Sequence, residues 1–333
     1  MMTQPDFNRV LRVGTRDSAL ALHQTSTVIA ALQSAWPQLA IETIPMKTLG
    51  DKFLQAPFHA LGVGTGVFVK ELEHALLNDA IDLAVHSMKD LPGHGAEGLT
   101  VAAVGDREDP RDVWIAHGGA SLMAMPAGMT VGTASLRRVA QLKRLRPDLK
   151  YVSLRGNLQT RWQKLTSGEV DAMVLAAAGI HRLGWQDRIT DYFDATVEGL
   201  LPAVNQGILG AQYRQDDTWV TTLLVPLERP LVGVACRAER ALLRMLEGGC
   251  QVPMGAYANL EGADRFRLEA ALYSLDGQQV VSSSRVFSVQ EDVEGAGRQL
   301  AEWILTNGGS EIRQTIRDQL NTPEVGAPQP PAP

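Results

Sequence analysis

Apolar positions along the chain fall into short blocks whose period changes from two to about 3.6 and back. Residues 10–15 form an apolar run ending in Thr15-Arg16-Asp17-Ser18, and Ser18 is a suitable N-cap for the amphipathic stretch at 19–32. That predicts a strand feeding a helix. Residues 41–47 alternate like a second strand, 67–77 have helical spacing, and 82–88 and 99–104 read as short buried strands. The order then repeats: 130–132 leads into a helix at 135–145, 151–154 into one at 158–165, and 172–177 into 179–183. Strands alternating with helices predict two α/β units, each built on a largely parallel sheet.

Between the two blocks lies the charged, proline-interrupted segment 105–112, suited to a crossover, and 201–207 is the matching return. Beyond residue 231 the pattern changes. A helix at 237–246 precedes strands at 267–273 and 279–287, joined by Asp276-Gly277, both of which tolerate positive φ in a hairpin turn. Helices at 293–305 and 312–320 follow. The expected fold class is therefore α/β: two α/β domains plus a smaller α+β C-terminal domain. The expected boundaries are 1–106 with 207–228 for the first, 107–206 for the second and 229–321 for the third. The proline-rich tail 322–333 lacks apolar periodicity and is expected to be disordered.

A length of 333 residues with 45% hydrophobic and 20% charged residues supports more than one buried core. The net charge of -6 argues against a general nucleic-acid or anionic-membrane surface, which needs a basic excess. Cys236 and Cys250 are the only cysteines and are expected to be thiols in a reducing compartment. Residues 1–8 are polar, and no window is apolar over the roughly 20 residues a membrane helix needs. The cytoplasm is the expected address. The seven histidines lack metal-ligand spacing, so no metal is expected.

Candidate chemistry starts from where the arginines fall. Arg137 and Arg138 occupy the first turn of a predicted helix, where the helix dipole disfavours cations and an anion would correct the imbalance. Arg155 precedes the helix start at Asn157, and Arg16 lies just before Ser18. Such strand-to-helix junctions gather at one edge of a parallel sheet, where ligands bind. Guanidinium forks converging there suit carboxylate or phosphate. For any single arginine a solvated basic face is the better reading, but four at one structural position favour a site.

Asp90, in His86-Ser87-Met88-Lys89-Asp90-Leu91-Pro92, should stand at that same edge, either to steady a cation and shuttle a proton or merely to cap a turn. His86 reads as a core histidine. Gly62-Val63-Gly64-Thr65-Gly66 lacks the spacing of a phosphate cradle and suits a loop that covers a cleft. Gly248-Gly249-Cys250 follows a helix carrying Arg237, Arg240 and Arg244. Cys250 is either an accessible thiol for nucleophilic or attachment chemistry or a small buried residue; Cys236 is expected to be structural.

Together these segments resemble the porphobilinogen deaminase (hydroxymethylbilane synthase) family across almost the whole chain. The resemblance rests on Thr15-Arg16-Asp17-Ser18, Phe68-Val69-Lys70-Glu71-Leu72-Glu73, His86 to Asp90, Arg107 to Asp112, Gly132-Thr133-Ala134-Ser135-Leu136-Arg137-Arg138, Leu154-Arg155-Gly156-Asn157 and Leu246 to Pro253. It implies two domains like those of periplasmic binding proteins and a dipyrromethane cofactor tied by a thioether to Cys250. By the same resemblance Arg16, Arg137, Arg138, Arg155, Arg161 and Arg182 bind acetate and propionate groups. Ser18, Thr133 and Ser135 add hydroxyl contacts; Lys89, Gly156 and Gln206 complete the cofactor and substrate sites. Asp90 would be catalytic. The implied reaction is four condensations of porphobilinogen on the bound chain with loss of ammonia, then one hydrolysis, without metal or nucleotide.

The implied partners are porphobilinogen and the growing polypyrrole, with no nucleic acid or membrane, on a monomeric protein. Three positions depart from the family pattern: Thr65 and Leu61 stand where lysines are usual in the loop, and Asn205 replaces a glycine. The alternative to an enzyme is a non-catalytic anion-binding module of similar fold. Cys250 with its glycines weighs against that, because a binder has no use for them.

Overall fold

The first sheet is built by segments from two distant parts of the chain. In this computed structural model, which describes residues 5–47, 69–247 and 252–321, strand β1 (Leu11–Arg16) feeds helix α1 (Ala19–Ala35). Ser18 caps that helix by accepting the Ala21 N–H. Strand β2 (Ile41–Met46), helix α2 (Lys70–Leu77), and strands β3 (Leu83–Ser87) and β4 (Leu99–Val104) follow. The chain then crosses to a second lobe: β5 (Asp112–Ala116), β6 (Thr130–Gly132), α3 (Leu136–Leu145), β7 (Lys150–Val152), α4 (Leu158–Thr166), β8 (Ala172–Ala176), α5 (Ala177–Arg182) and β9 (Asp191–Tyr192). It returns to the first lobe in β10 (Leu209–Arg214) and α6 (Thr218–Leu224). Leu61, Thr65, the rest of the glycine-rich loop, Cys250 and the tail 322–333 lie outside the described residues.

The two sheets share one plan. Their strand orders are β2-β1-β3-β10-β4 and β7-β6-β8-β5-β9. In each, the fourth strand runs antiparallel to both neighbours. The other four strands of each sheet run in one direction, so both sheets are largely parallel, as expected, with one reversed strand each. Strands β5 and β10 each come directly from a crossover, so they enter at the edge where the parallel strands end and run backwards. Val113, Ile115, Met173 and Leu175 pack on one face of the second sheet, and Trp114, Val131 and Val174 on the other. Burial on both faces explains the continuous apolar run in β5. In the first lobe, Leu11, Val13, Leu83, Val85, Leu209 and Ala211 pack under Val28 and Leu32 of α1 and Val220 and Leu224 of α6.

Asp82 closes the floor of the first sheet, at the end where β3 begins. Its fully buried carboxylate accepts from Arg9 at 2.6 Å, Arg12 at 2.8 Å and Arg214 at 3.0 Å. The third unit is α7 (Pro230–Glu247), a meander of β11 (Met254–Glu261), β12 (Arg265–Tyr273) and β13 (Val280–Ser288), then α8 (Val293–Ile304) and α9 (Ser310–Asn321). Alternate residues Phe266, Leu268 and Ala270 of β12 face a core shared with Leu242 and Leu246 of α7 and Leu300 and Ile304 of α8. Phe266 and Phe287 stack at 5.7 Å, and each buried ring contributes about 1.5–3 kcal/mol. Among the described residues no single helix is long and apolar enough to cross a membrane.

Candidate active site

Strand β3 delivers its cargo at the crevice edge. Past Ser87 the chain tightens into a 3-10 turn, Met88–Asp90, held by the Met88 N–H on the Ile208 carbonyl at 3.0 Å. Asp90 is exposed at its tip. Lys89 is half-buried and donates from Nζ to Gln206 Oε1 at 3.1 Å. Gln206 is fully buried on the return crossover and donates from Nε2 to the Pro110 carbonyl at 2.7 Å and to Asp112 Oδ1 at 2.9 Å. One side chain therefore links the lysine of the first lobe to the first residue of β5 in the second.

Asp112 is the hub of the second lobe's wall. Ser135 caps α3, accepting the Arg138 N–H, and Thr133 Oγ1 accepts the Ser135 N–H. This turn sends Arg137 and Arg138 inward, where both donate to Asp112 at 2.7 Å. Burial alone would raise the Asp112 carboxyl; Arg137 and Arg138 override it and hold the group below the usual carboxylate range. The anion that the helix start calls for is thus supplied from within the chain. The Arg137 side chain is buried and also donates to the Leu201 carbonyl. Arg138 donates to the Val174 carbonyl at 3.1 Å, yet its buried Nε has no hydrogen-bond partner among the described residues.

Arg161 lies within electrostatic reach of Arg138, Arg155 and Asp90. Arg161 donates from Nε to the Gly156 carbonyl at 2.8 Å. Gly156 has φ +108, and a Cβ there would lie 2.8 Å from Thr160, so the turn requires glycine. Loss of hydration pushes Arg161 down to about 10, Arg138 and Arg155 add to the fall, and Asp90 across the crevice partly offsets it. Lys89 is pushed down to about 8, first by loss of hydration and then by Arg138. Arg155 meets Ser153 Oγ at 3.3 Å, and Arg182 donates to the Gly207 carbonyl at 2.7 Å on the hinge. Arg16 ends β1, and its charge helps lower His86, which burial pushes down to about 4. His86 is buried, as a core histidine should be.

Cations outnumber carboxylates here. Lys89, Arg138 and Arg161 are desolvated or short of partners, and among the described residues the carboxylates that oppose Lys89 and Arg161 are Asp90 and Asp112. That imbalance suits a ligand bearing several carboxylates, and so fits a pyrrole cofactor with acetate and propionate arms.

Besides Asp82, two buried acids among the described residues had no role in the sequence reading. Asp112 is one; its only local signal is an acid opening an apolar run, Val113-Trp114-Ile115. Glu239 of α7 is the other: it accepts from Arg107 at 2.6 Å, the Asn205 N–H at 2.6 Å and the Ala258 N–H at 2.9 Å, tying the third unit to both crossovers. Asn205 sits at φ +58, a left-handed position where glycine or asparagine is favoured. Its amide also donates to Glu239, so the departure from glycine keeps the backbone and adds a contact.

The family model described as "Porphobilinogen deaminase, dipyromethane cofactor binding domain" matches residues 11–222, and that described as "Porphobilinogen deaminase, C-terminal domain" matches 234–306. The chain belongs to the porphobilinogen deaminase family. The porphobilinogen deaminases of Syntrophobacter fumaroxidans and Carboxydothermus hydrogenoformans are 47% and 45% identical to it over 309 residues, covering 93% of this chain and 98% of each relative. That of Geobacter sulfurreducens is 45% identical over 302 residues, 91% of this chain and 93% of the relative. Among solved structures, the periplasmic VFT2 domain of Bordetella pertussis BvgS is similar at 18% identity and a TM-score of 0.41, over 70% of this chain and 91% of that one. Membership in the porphobilinogen deaminase family decides for an enzyme over an anion-binding module. The matched cofactor-binding domain spans both lobes and hence the crevice between them.

Proposed function

We propose that this chain is a cytoplasmic, monomeric hydroxymethylbilane synthase that joins porphobilinogen units head to tail with loss of ammonia, and that Asp90 drives each condensation. The observation that carries the assignment is the exposed Asp90 carboxylate at the tip of β3, opposite the desolvated cations Arg138 and Arg161. The division into 1–106 with 207–228, 107–206 and 229–321 belongs to the same proposal. It sets Asp90 on one lobe and most of the arginines on the other.

Each residue's part follows from its surroundings. Arg16, Arg155, Arg161 and Arg182 ring the crevice and bind acetate and propionate groups, with Lys89 held ready by Gln206. Arg138 offers its unpartnered Nε, while Arg137 acts through Asp112 by keeping Arg138 in place. Ser18, Thr133 and Ser135 use their oxygens to accept backbone N–H groups, which leaves each hydroxyl proton free to donate to a carboxylate. Gly156 brings its backbone close to the ligand. When bound, dipyrromethane, tethered through Cys250, supplies the pyrrole carbon to which the next unit is joined. Asp90 accepts hydrogen bonds from pyrrole N–H groups, stabilises positive charge on the incoming ring as ammonia departs, and takes up the proton lost from the ring carbon.

Asp90→Asn keeps the side-chain shape and removes the base. Turnover should fall by roughly 10²–10⁴-fold. The variant should remain folded and keep the mass of two pyrrole units beyond the polypeptide. A near-normal rate of porphobilinogen consumption would remove Asp90 from the mechanism. Bare polypeptide mass in active enzyme would remove the Cys250 tether.

A further inference from the structure

Helix α7 carries a second set of arginines that the reaction leaves unused. Arg237, Arg240 and Arg244 recur at spacings of three and four and so share one helix face. They line a cavity of about 630 Å³ between α7 and the first lobe, a size that suits a small-molecule site. Its opposite wall is apolar and includes Met88, Leu91, Leu99 and Val101. Arg229 brings the lining arginines to four, against the three carboxylates Glu73, Glu228 and Glu294. Glu294 and Arg244 pair with each other at 2.9 Å, Arg229 pairs with Asp106 at 3.2 Å and Glu73 is engaged by Gln212 at 3.0 Å, which leaves Arg237 and Arg240 opposite Glu228. Arg237 is exposed and has no hydrogen-bond or ion-pair partner among the described residues.

We propose that this cavity is an effector site for a small organic anion, an apolar ring bearing two or more carboxylates, and that its occupancy slows turnover. The ring lies against Met88, Leu91 and Val101, and the carboxylates meet Arg237 and Arg240. One wall facing a cation and the other facing hydrocarbon selects this amphiphilic shape over a bare inorganic anion.

The route to the active site is short. Met88 lines the cavity and opens the turn that carries Lys89 and Asp90. Arg240, buried, donates from Nη2 to the Pro92 carbonyl at 2.8 Å and the Gly93 carbonyl at 3.3 Å, just past Asp90. A ligand carboxylate that recruits Arg240 competes with those carbonyls and loosens the hold on the turn. Occupancy and the productive position of Asp90 are then linked, and each disfavours the other.

Trimesate, a benzene ring with three carboxylates, is a direct probe. It should be titrated calorimetrically into the holoenzyme, into Arg237→Glu and into Arg237→Lys. The glutamate variant should bind about tenfold or more weakly, and the lysine variant should recover most of the affinity. Arg237 takes no part in the proposed reaction, so basal turnover should be the same in all three. In the wild type, inhibition by trimesate should persist at saturating porphobilinogen, and Arg237→Glu should abolish that persistent part. Equal affinity in wild type and Arg237→Glu overturns the proposal. So does inhibition that disappears as porphobilinogen saturates, which places the anion in the crevice alone. The calorimetric result does not depend on the role given to Asp90, so the two readings fail separately.

Discussion

The two lobes repeat one sheet plan, and among the described residues each buries a single aspartate among arginines, but at opposite edges. In the first lobe Asp82 precedes β3, at the floor of the sheet, and gathers Arg9, Arg12 and Arg214. In the second, Asp112 opens the reversed strand β5 and pairs with Ala176 at the end of β8, so it stands at the crevice. Both carboxyls are held below their usual range by the arginines that override burial. The local chemistry is nearly the same. Position relative to the strand ends decides whether such a cluster only braces the fold or also shapes a binding site.

Removing the crevice acid is the most severe way to test that contrast. Asp112→Asn leaves Arg137 and Arg138 buried without their shared anion, and a single amide oxygen must then serve donors that two carboxylate oxygens served, Gln206 among them, which positions Lys89. Breaking a buried ion pair from one side costs about 3–5 kcal/mol. We expect a loss of that size in chemical denaturation, together with failure to retain the pyrrole cofactor by intact mass. Full cofactor loading in Asp112→Asn would show that the crevice cluster is structural after all, and the contrast would collapse.

Asp82→Asn should do less and do it differently. Arg9 and Arg12 are about a third exposed and can regain water, so roughly 1–3 kcal/mol is expected, with turnover per folded molecule unchanged. Its pH signature sharpens the point. The folded carboxyl lies below its unfolded value near 3.9, so its contribution is complete above that pH and drains away as the pH falls further. Thermal melts of the wild type should therefore lose stability more steeply than Asp82→Asn below about pH 4. Parallel acid limbs would mean that Asp82 is not among the groups that matter.

How much of this could be read from the sequence depends on distance along the chain. The cap Ser18 and the helix start at Asn157 are local, each accepting an N–H three residues on, and both were legible; Ser135, expected as the first helical residue, is the cap of its helix. The strand-to-helix junctions that carry Arg16 and Arg155 were legible for the same reason. Strands β5 and β10 were not, because their partners lie across a crossover and their burial on both faces erases alternation. The bond from Arg137 to Asp112 spans 25 residues, and no local spacing announces it. Direction was the other hidden quantity. Adjacent arginines on one helix turn look alike in sequence, and both prove to be buried on Asp112, with the buried Nε of Arg138 left without a hydrogen-bond partner among the described residues.

The finest test of the contrast concerns Lys89, which belongs to the floor-braced lobe but feels the crevice of the other. Loss of hydration and then crowding by Arg138 lower it from 10.5 to about 8, so the free crevice disfavours its charge and that penalty is relieved as pH rises. A bound polycarboxylate reverses the sign by neutralising Arg138 and Arg161 nearby. The titration can be followed by NMR of ¹³Cε-labelled lysine, with Lys89→Arg to assign the signal. It should have its midpoint near 8 in Cys250→Ser, which lacks the proposed tether. In the loaded enzyme it should move up by about 1–3 units, the usual effect of opposite charge at close range. An identical midpoint in both would mean that cofactor carboxylates do not reach this cluster. In that case the surplus of cations would serve the fold alone, as the arginines around Asp82 do.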